Sequence, residues 1–137
     1  MNSATQILPF LYVGGYLAAI PSGVTHVFSV GHPYEGELDP RIIVTPEYAC
    51  EDAPETDMIP LFSRVCRLIE AARASGGVVY VHCVYGQCRS PAVVIAYMCA
   101  YLGYKFNAAY AHVQARRTEA AIYCSWRLQI EMYAKNR

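Results

Sequence analysis

A nine-residue segment in the second half of the chain holds the residue types that nucleophilic attack on a phosphate would need. It runs from His82 to Ser90 as His-Cys-Val-Tyr-Gly-Gln-Cys-Arg-Ser. Cys83 could supply a thiolate nucleophile, and Arg89 could donate two parallel N–H bonds to two oxygens of a phosphate. Gly86 would allow a tight turn and a close approach of the backbone to an anion. The segment therefore predicts a site that binds an oxyanion and attacks it.

The residues on either side of this segment predict a strand, a loop and a helix. Val78–Val81 is a continuous apolar run, which is typical of a strand covered on both faces. A helix is expected over Arg89–Leu102, ending at Gly103. Ligands of open α/β folds bind where strand carboxyl ends meet helix amino ends. Loop amides and the positive end of the helix dipole would then face one point and favour both a bound anion and a thiolate.

Three segments in the first third of the chain predict further strands. Ile7–Val13 should form short extended pieces broken at Pro9, and Val24–Val30 is rich in β-branched residues. Arg41–Thr45 is expected to stop at Pro46.

Three other segments predict helices. The clearest has apolar residues at helical spacing, with Asp57 as its N-cap and Gly76-Gly77 after its end. Two more are expected at Asn107–Arg116 and Ser125–Lys135, each with its first residue as N-cap. Strands followed by strand–helix alternation predict one α/β domain over residues 1–137. Its core would be a central, mostly parallel, twisted sheet of about five strands flanked by helices.

Composition narrows the class of protein. Of 137 residues, 55% are hydrophobic and 16% charged, which excludes a disordered segment or a coiled coil. Lys and Arg balance Asp and Glu at 11 each, so neither nucleic acid nor an anionic membrane is expected as a partner. The longest charge-free apolar stretch, Ser90–Tyr104, is shorter than the roughly 20 residues a membrane span needs. The first six residues carry no export signal, so a cytoplasmic or nuclear protein is expected.

The six cysteines predict free thiols. They form no Cys-x-x-Cys pair and no ligand set with zinc spacing, so neither a disulfide scaffold, a metal nor another cofactor is expected.

The loop resembles the active-site loop of the cysteine-based protein tyrosine phosphatases, in which His-Cys, five residues and Arg-Ser recur. At average residue usage its five fixed positions occur by chance on the order of 10⁻⁷ per window. The flanks, Val78–Val81 and Ser90–Met98, resemble the dual-specificity branch, and the likeness extends from Leu8 to the final helix with Trp126. The sequence is similar to the small atypical members of that branch, which implies their phosphatase-type fold.

The resemblance implies a two-step hydrolysis. Cys83 would attack phosphorus, water would cleave the phosphocysteine, and Ser90 would help the thiolate to leave; a first-turn Ser that only bonds backbone is the simpler alternative for Ser90. His82 is expected to orient the loop and tune the thiolate rather than to transfer protons. Arg89 would hold the phosphate oxygens together with the loop amides of Val84, Tyr85, Gly86, Gln87 and Cys88.

The leaving group of such a reaction needs a proton from a general acid on another loop. Asp52 lies 31 residues before Cys83 and corresponds to the acid of the family. Asp57 is the main rival, although a helix N-cap explains it better. The neighbouring Glu51 and Glu55 have the ordinary explanation of solvated loop charges.

Two positions depart from the usual pattern of the family. Cys88 stands where a small residue such as Ser is common. It either resolves a Cys83 sulfenic acid as a reversible disulfide, as its spacing in low-molecular-weight phosphatases suggests, or fills space. Ile122-Tyr123 replaces a Pro-Asn whose Asn helps to brace the active-site loop, so Arg117 or a backbone group would have to substitute.

The uncharged loop residues Val84, Tyr85 and Gln87 argue against highly anionic lipids or polyphosphorylated RNA. A shallow pocket is expected, open to phosphotyrosine and to phosphoserine or phosphothreonine in proteins. Two alternatives stand beside this protein phosphatase: a catalytically weak phosphate-binding adaptor, and a phosphatase for a non-protein phosphoester. The oligomeric state is left open.

Overall fold

The central sheet has five strands in the order β1-β2-β5-β3-β4, and only β1 runs antiparallel to its neighbour. The structure, a computed structural model, describes residues 3–137; residues 1 and 2, the first two of the six in which no export signal is expected, lie outside the described residues. The prediction of a mostly parallel sheet of about five strands is confirmed. The strands are β1 (Thr5–Leu8), β2 (Leu11–Gly14), β3 (His26–Val30), β4 (Ile43–Glu47) and β5 (Val79–His82).

The four helices of the described chain all pack on one face of this sheet. Alternation along β5 shows the division, because Val79 and Val81 face the helices whereas Tyr80 faces the opposite side. Loops rather than helices cover that opposite side. The helices are α1 (Ile59–Ala74), α2 (Arg89–Leu102), α3 (Phe106–Arg116) and α4 (Cys124–Asn136).

Helix α2 contains most of the long apolar stretch Ser90–Tyr104. It has the predicted bounds, and its first ten residues are all buried between the sheet and the other helices. It ends at Gly103, whose φ of 76° is the left-handed conformation that favours glycine. No helix within residues 3–137 combines the length and the apolar character that crossing a membrane requires.

The predicted N-caps are wrong by one or two residues. Helices α1, α3 and α4 are capped by Met58, Lys105 and Tyr123, and none of these side chains makes a capping hydrogen bond. Asp57 lies one residue further out and accepts a 3.3 Å hydrogen bond from the backbone N–H of Ile59. Asn107 and Ser125, the other predicted caps, lie inside the first turns of their helices.

The prediction that the third strand stops at Pro46 is also wrong. Strand β4 continues through Pro46 to Glu47, in register with the last residues of β3. This strand is the edge of the sheet, where a proline can leave its missing N–H on the unpaired side.

Candidate active site

The His82–Ser90 segment lies where the sequence predicts, at the carboxyl end of β5 and the amino end of α2. Strand β5 is central, between β2 and β3, so loops from both neighbours reach the same edge. The first amides of α2 have no carbonyl one turn earlier in the helix to bind, and the helix dipole adds partial positive charge there. The edge of the sheet therefore has the general character of an anion site.

Arg117 braces the back of this loop. Its side chain is only 1% exposed, and it donates to the backbone oxygens of Gly86 at 2.7 Å and Tyr85 at 3.0 Å. The same guanidinium also binds the carbonyl of Ser3 and the hydroxyl of Thr5, each at 2.8 Å, which ties the loop to the start of the sheet. The sequence named Arg117 as a possible substitute for the missing Asn, and these contacts bear that out.

Three more carbonyls of the loop are held by hydrogen-bond donors of the protein. Each accepts one hydrogen bond: Cys83 from the imidazole Nδ1 of His82 at 3.0 Å, Val84 from the backbone of Tyr16 at 3.0 Å and Gln87 from the backbone of Ala121 at 2.8 Å. The last of these is the backbone brace that the sequence offered as the other substitute.

The orientation of these carbonyls also sets the direction of the N–H groups that follow them in the loop. In a trans peptide the C=O of one residue and the N–H of the next point in opposite directions, and the described chain has no cis peptide. The N–H groups of residues 84–88 therefore point away from the bracing donors, and none of them has a hydrogen-bond partner within residues 3–137. Five consecutive amides directed away from the protein form a nest for an anion.

His82 supports the loop from below. It is fully buried, and burial lowers its pKa to about 4, so the ring is neutral at neutral pH. Because Nδ1 must donate to the Cys83 carbonyl, Nε2 accepts the 2.6 Å hydrogen bond from the Ser29 hydroxyl. A neutral ring with both nitrogens engaged favours the orienting role over proton transfer.

Cys83 and Ser90 meet at the base of the nest. The Cys83 Sγ lies 3.2 Å from the Ser90 Oγ, and the cysteine is 3% exposed. Ser90 is wholly buried in the first turn of α2, and its hydroxyl is the group that contacts the Cys83 sulfur. The hydroxyl is thus placed to donate to a thiolate.

Arg89 reaches the site from beneath a neighbouring loop. Its Nη1 donates to the carbonyl of Cys50 at 2.9 Å and more weakly to that of Gly31 at 3.4 Å. Gly31 has a φ of 77°, and a Cβ there would overlap the guanidinium. The Nε of Arg89 is buried and has no hydrogen-bond partner in the described chain. That N–H is therefore available to a ligand.

A cleft of about 300 Å³ opens over these groups. Asp52 lies in its wall, whereas Asp57, Glu51 and Glu55 do not. Of the predicted site residues, His82, Gly86 and Ser90 are not part of the cleft lining. It is lined by Asp52, Cys83, Val84, Tyr85, Gln87, Cys88, Arg89, Ala121, Ile122 and Tyr123.

Asp52 interacts with two residues across the cleft. Burial and the negative charge of Asp52 raise the pKa of the Cys88 thiol to about 12, so this thiol is protonated at neutral pH. A hydrogen bond with the Asp52 side chain raises the pKa of the Tyr123 hydroxyl, which also donates to the Asp52 backbone oxygen at 3.1 Å.

Comparison with known proteins shows which family the chain belongs to. The family model for the dual specificity phosphatase catalytic domain matches residues 21–136. The chain belongs to this family. Resemblance of the loop and its flanks to the dual-specificity branch is thereby confirmed.

Other dual specificity phosphatases and related proteins are similar over most of the chain. The mouse serine/threonine/tyrosine-interacting protein is 32% identical over 82% of this chain and 56% of its own length. Rat dual specificity protein phosphatase 12 is 31% identical over 95% of this chain and 41% of its own length. The chain thus spans about half the length of these curated relatives.

A solved structure of a related protein has the same fold. A mouse protein of the dual specificity phosphatase type, crystallised with zinc tungstate, superposes with a TM-score of 0.89 at 25% identity. The match covers 99% of this chain and 89% of that one.

Several residues of this dual specificity phosphatase site carry no sequence signal. Ser29 and Tyr16 bind the loop from positions more than 50 residues away in the chain, and Cys50 contributes only a backbone carbonyl. Gly31 could have been noticed, because a glycine directly after a buried strand often marks a close approach. The sequence marks Tyr123 only as a departure from the family pattern, and its hydrogen bond to Asp52 is visible only in the structure.

Proposed function

We propose that this dual specificity phosphatase domain hydrolyses phosphotyrosine and phosphoserine or phosphothreonine in proteins through a phosphocysteine on Cys83. One observation carries the proposal. Five loop amides and the Nε of Arg89 have no hydrogen-bond partner in the described chain, and Cys83, Arg89 and Asp52 line the same cleft. This arrangement suits a phosphoryl group held by three oxygens and attacked from below.

In the first step the Cys83 thiolate forms a bond to phosphorus as the ester P–O bond breaks. Asp52, as general acid, gives its proton to the departing oxygen, which leaves as a neutral hydroxyl. The loop amides and Arg89 stabilise the charge on the three remaining oxygens, where it is greatest in the transition state.

In the second step water attacks phosphorus and the S–P bond breaks. The Asp52 carboxylate now acts as general base and takes a proton from the water. Ser90 donates a hydrogen bond to the departing sulfur across the 3.2 Å contact, which stabilises the thiolate as it reforms. Phosphate then leaves, and the enzyme returns to its starting state.

The composition of the cleft supports single phosphates on proteins as substrates. Among the described residues, Arg89 is the only cationic side chain in its lining, which also holds two tyrosines, the exposed Tyr85 and Tyr123. Because the site lacks a second cation, it offers little attraction to a neighbouring phosphate. A cytoplasmic or nuclear location and one catalytic domain over residues 1–137 are part of this proposal.

A phosphate-binding adaptor with weak turnover is the second candidate. The name of the mouse relative, an interacting protein, favours it, and so does the absence of the usual Pro-Asn. Against it stand the two braces, Arg117 and Ala121, that hold the loop in place of the Asn. A phosphatase acting on a non-protein phosphoester is the third candidate, which the uncharged lining disfavours.

Hydrolysis of aryl phosphates across pH tests the proposal. The native protein should turn over, Cys83→Ser should be inactive, and Asp52→Asn should lose the alkaline limb of the pH profile. Phosphotyrosine and phosphothreonine peptides, compared with phosphosugars and phospholipids, then separate the first candidate from the third. A native protein that binds vanadate or tungstate without turnover would establish the adaptor instead.

A further inference from the structure

The loop that carries Asp52 is fastened along its length to the start of α4. Four hydrogen bonds join the two segments, and three of their partners on the loop side are backbone carbonyls. They run from Tyr123 Oη to Asp52 O at 3.1 Å, from Ser125 Oγ to Pro54 O at 2.5 Å, from Gln129 Nε2 to Thr56 O at 3.0 Å and from Met58 N to Gln129 Oε1 at 2.6 Å.

Tyr123 differs from the other members of this set because it also touches the reacting end of the site. Its hydroxyl donates to the backbone oxygen of Asp52 at 3.1 Å, and Tyr123 and Asp52 both line the cleft. The ring is itself anchored, since it packs edge-on against the buried Trp126 with centroids 4.9 Å apart. An anchored ring holds its hydroxyl at a fixed point.

We propose that Tyr123 is a positioning residue that holds Asp52 in the wall of the cleft, so that the acid loop is fixed before substrate binds. This inference rests on the proposed function, in which Asp52 is the general acid. The residue that departs from the family pattern thus acts on the acid loop, while Arg117 and Ala121 take over the bracing of the phosphate loop.

The position of the acid affects some substrates more than others. A poor leaving group needs a full proton from Asp52, whereas a good leaving group departs with little help. Removing the Tyr123 hydroxyl should therefore slow poor leaving groups selectively. Loss of one hydrogen bond of this kind corresponds to a fall of about three- to tenfold in kcat.

Tyr123→Phe is the test variant, because it removes the hydroxyl and keeps the ring against Trp126. Tyr110→Phe is the matched control: its hydroxyl accepts a 3.3 Å bond from the backbone N–H of Ile122, so it supports the same segment without touching Asp52. The kcat of each is measured on aryl phosphates of graded leaving-group basicity. We expect Tyr123→Phe alone to steepen the dependence on basicity, with the KM little changed.

A fall that is equal for all leaving groups, or equal in the two variants, would overturn the proposal. So would a further loss when Tyr123→Phe is added to Asp52→Asn, because no acid is then left to position.

Amide hydrogen exchange gives a readout that does not depend on turnover. The Thr56 amide, bonded to Ala53 O at 3.1 Å, reports on the acid loop. Tyr123→Phe should speed its exchange and Tyr110→Phe should not; equal rates in all three proteins would contradict the proposal. If the wild type hydrolyses no substrate, the proposed function fails, and this exchange rate alone decides whether Tyr123 holds the loop.

Discussion

Replacing Arg117 with Met should weaken both the fold and the active-site loop. The change keeps much of the side-chain volume but removes a buried guanidinium that donates to Tyr85, Gly86, Ser3 and Thr5. Each acceptor then loses its charged donor, and the carbonyl of Gly86 is left buried without it. The two in the loop matter most, because they orient the amides that follow them.

The size of the effect follows from these contacts. A hydrogen bond to a charged group contributes about 1.5–3 kcal/mol, and four are lost. Part of this loss is offset, because the variant no longer buries a charge and water can enter the site. We therefore expect the free energy of unfolding to fall by about 3 kcal/mol. For a chain of 137 residues that lowers Tm by roughly 10 °C. With two of five loop amides misdirected, kcat should fall about 100-fold.

Urea unfolding and aryl phosphate turnover measure the two effects separately. Arg116→Met is the control, because this neighbour is exposed and, within residues 3–137, its Nη1 binds only the carbonyl of His112 in its own helix. It should change stability by less than about 0.5 kcal/mol. An Arg117→Met protein with the wild-type unfolding midpoint would refute the bracing argument. An Arg117→Met protein that is destabilised but fully active would refute the argument that the braced carbonyls orient the N–H groups of the loop.

Three further predictions concern other parts of the site. Gly31→Ala should displace the Arg89 guanidinium and raise the dissociation constant of vanadate at least tenfold; unchanged binding in a folded protein would contradict the overlap seen at this position. Because burial lowers the pKa of His82 to about 4, the unfolded state binds more protons between pH 4 and 6.5. Stability should thus rise with pH across that window, by up to about 3 kcal/mol, and urea titrations of His82→Gln should show a flatter rise. The Cys83–Cys88 disulfide stays a hypothesis: because the pKa of the Cys88 thiol is raised to about 12, we expect mild peroxide to give sulfinic acid at Cys83 before a bridge, and a rapid bridge in peptide maps would show the reverse.

The strand, loop and helix around Cys83 could be predicted because their signals are local. An apolar run of strand length, a glycine and a helix-forming segment follow one another within 25 residues, so propensity and periodicity apply directly. The bounds of α2 and the mostly parallel sheet were correct for this reason. The N-cap predictions failed because Met58, Lys105 and Tyr123 hold those positions without a capping side-chain hydrogen bond, so the side-chain signal that marks an N-cap in a sequence is absent.

The sequence by itself therefore determined which residues could bind and attack a phosphate. Only the tertiary structure decided how they are held, because each support comes from far along the chain. Arg117 orients the loop amides from 31 residues away, and the carbonyl of Cys50 fixes Arg89 from 39 residues away. Tyr123 reaches Asp52 across 71 residues. Contacts of this kind leave no periodic pattern, since the fold alone brings such distant residues within hydrogen-bonding distance.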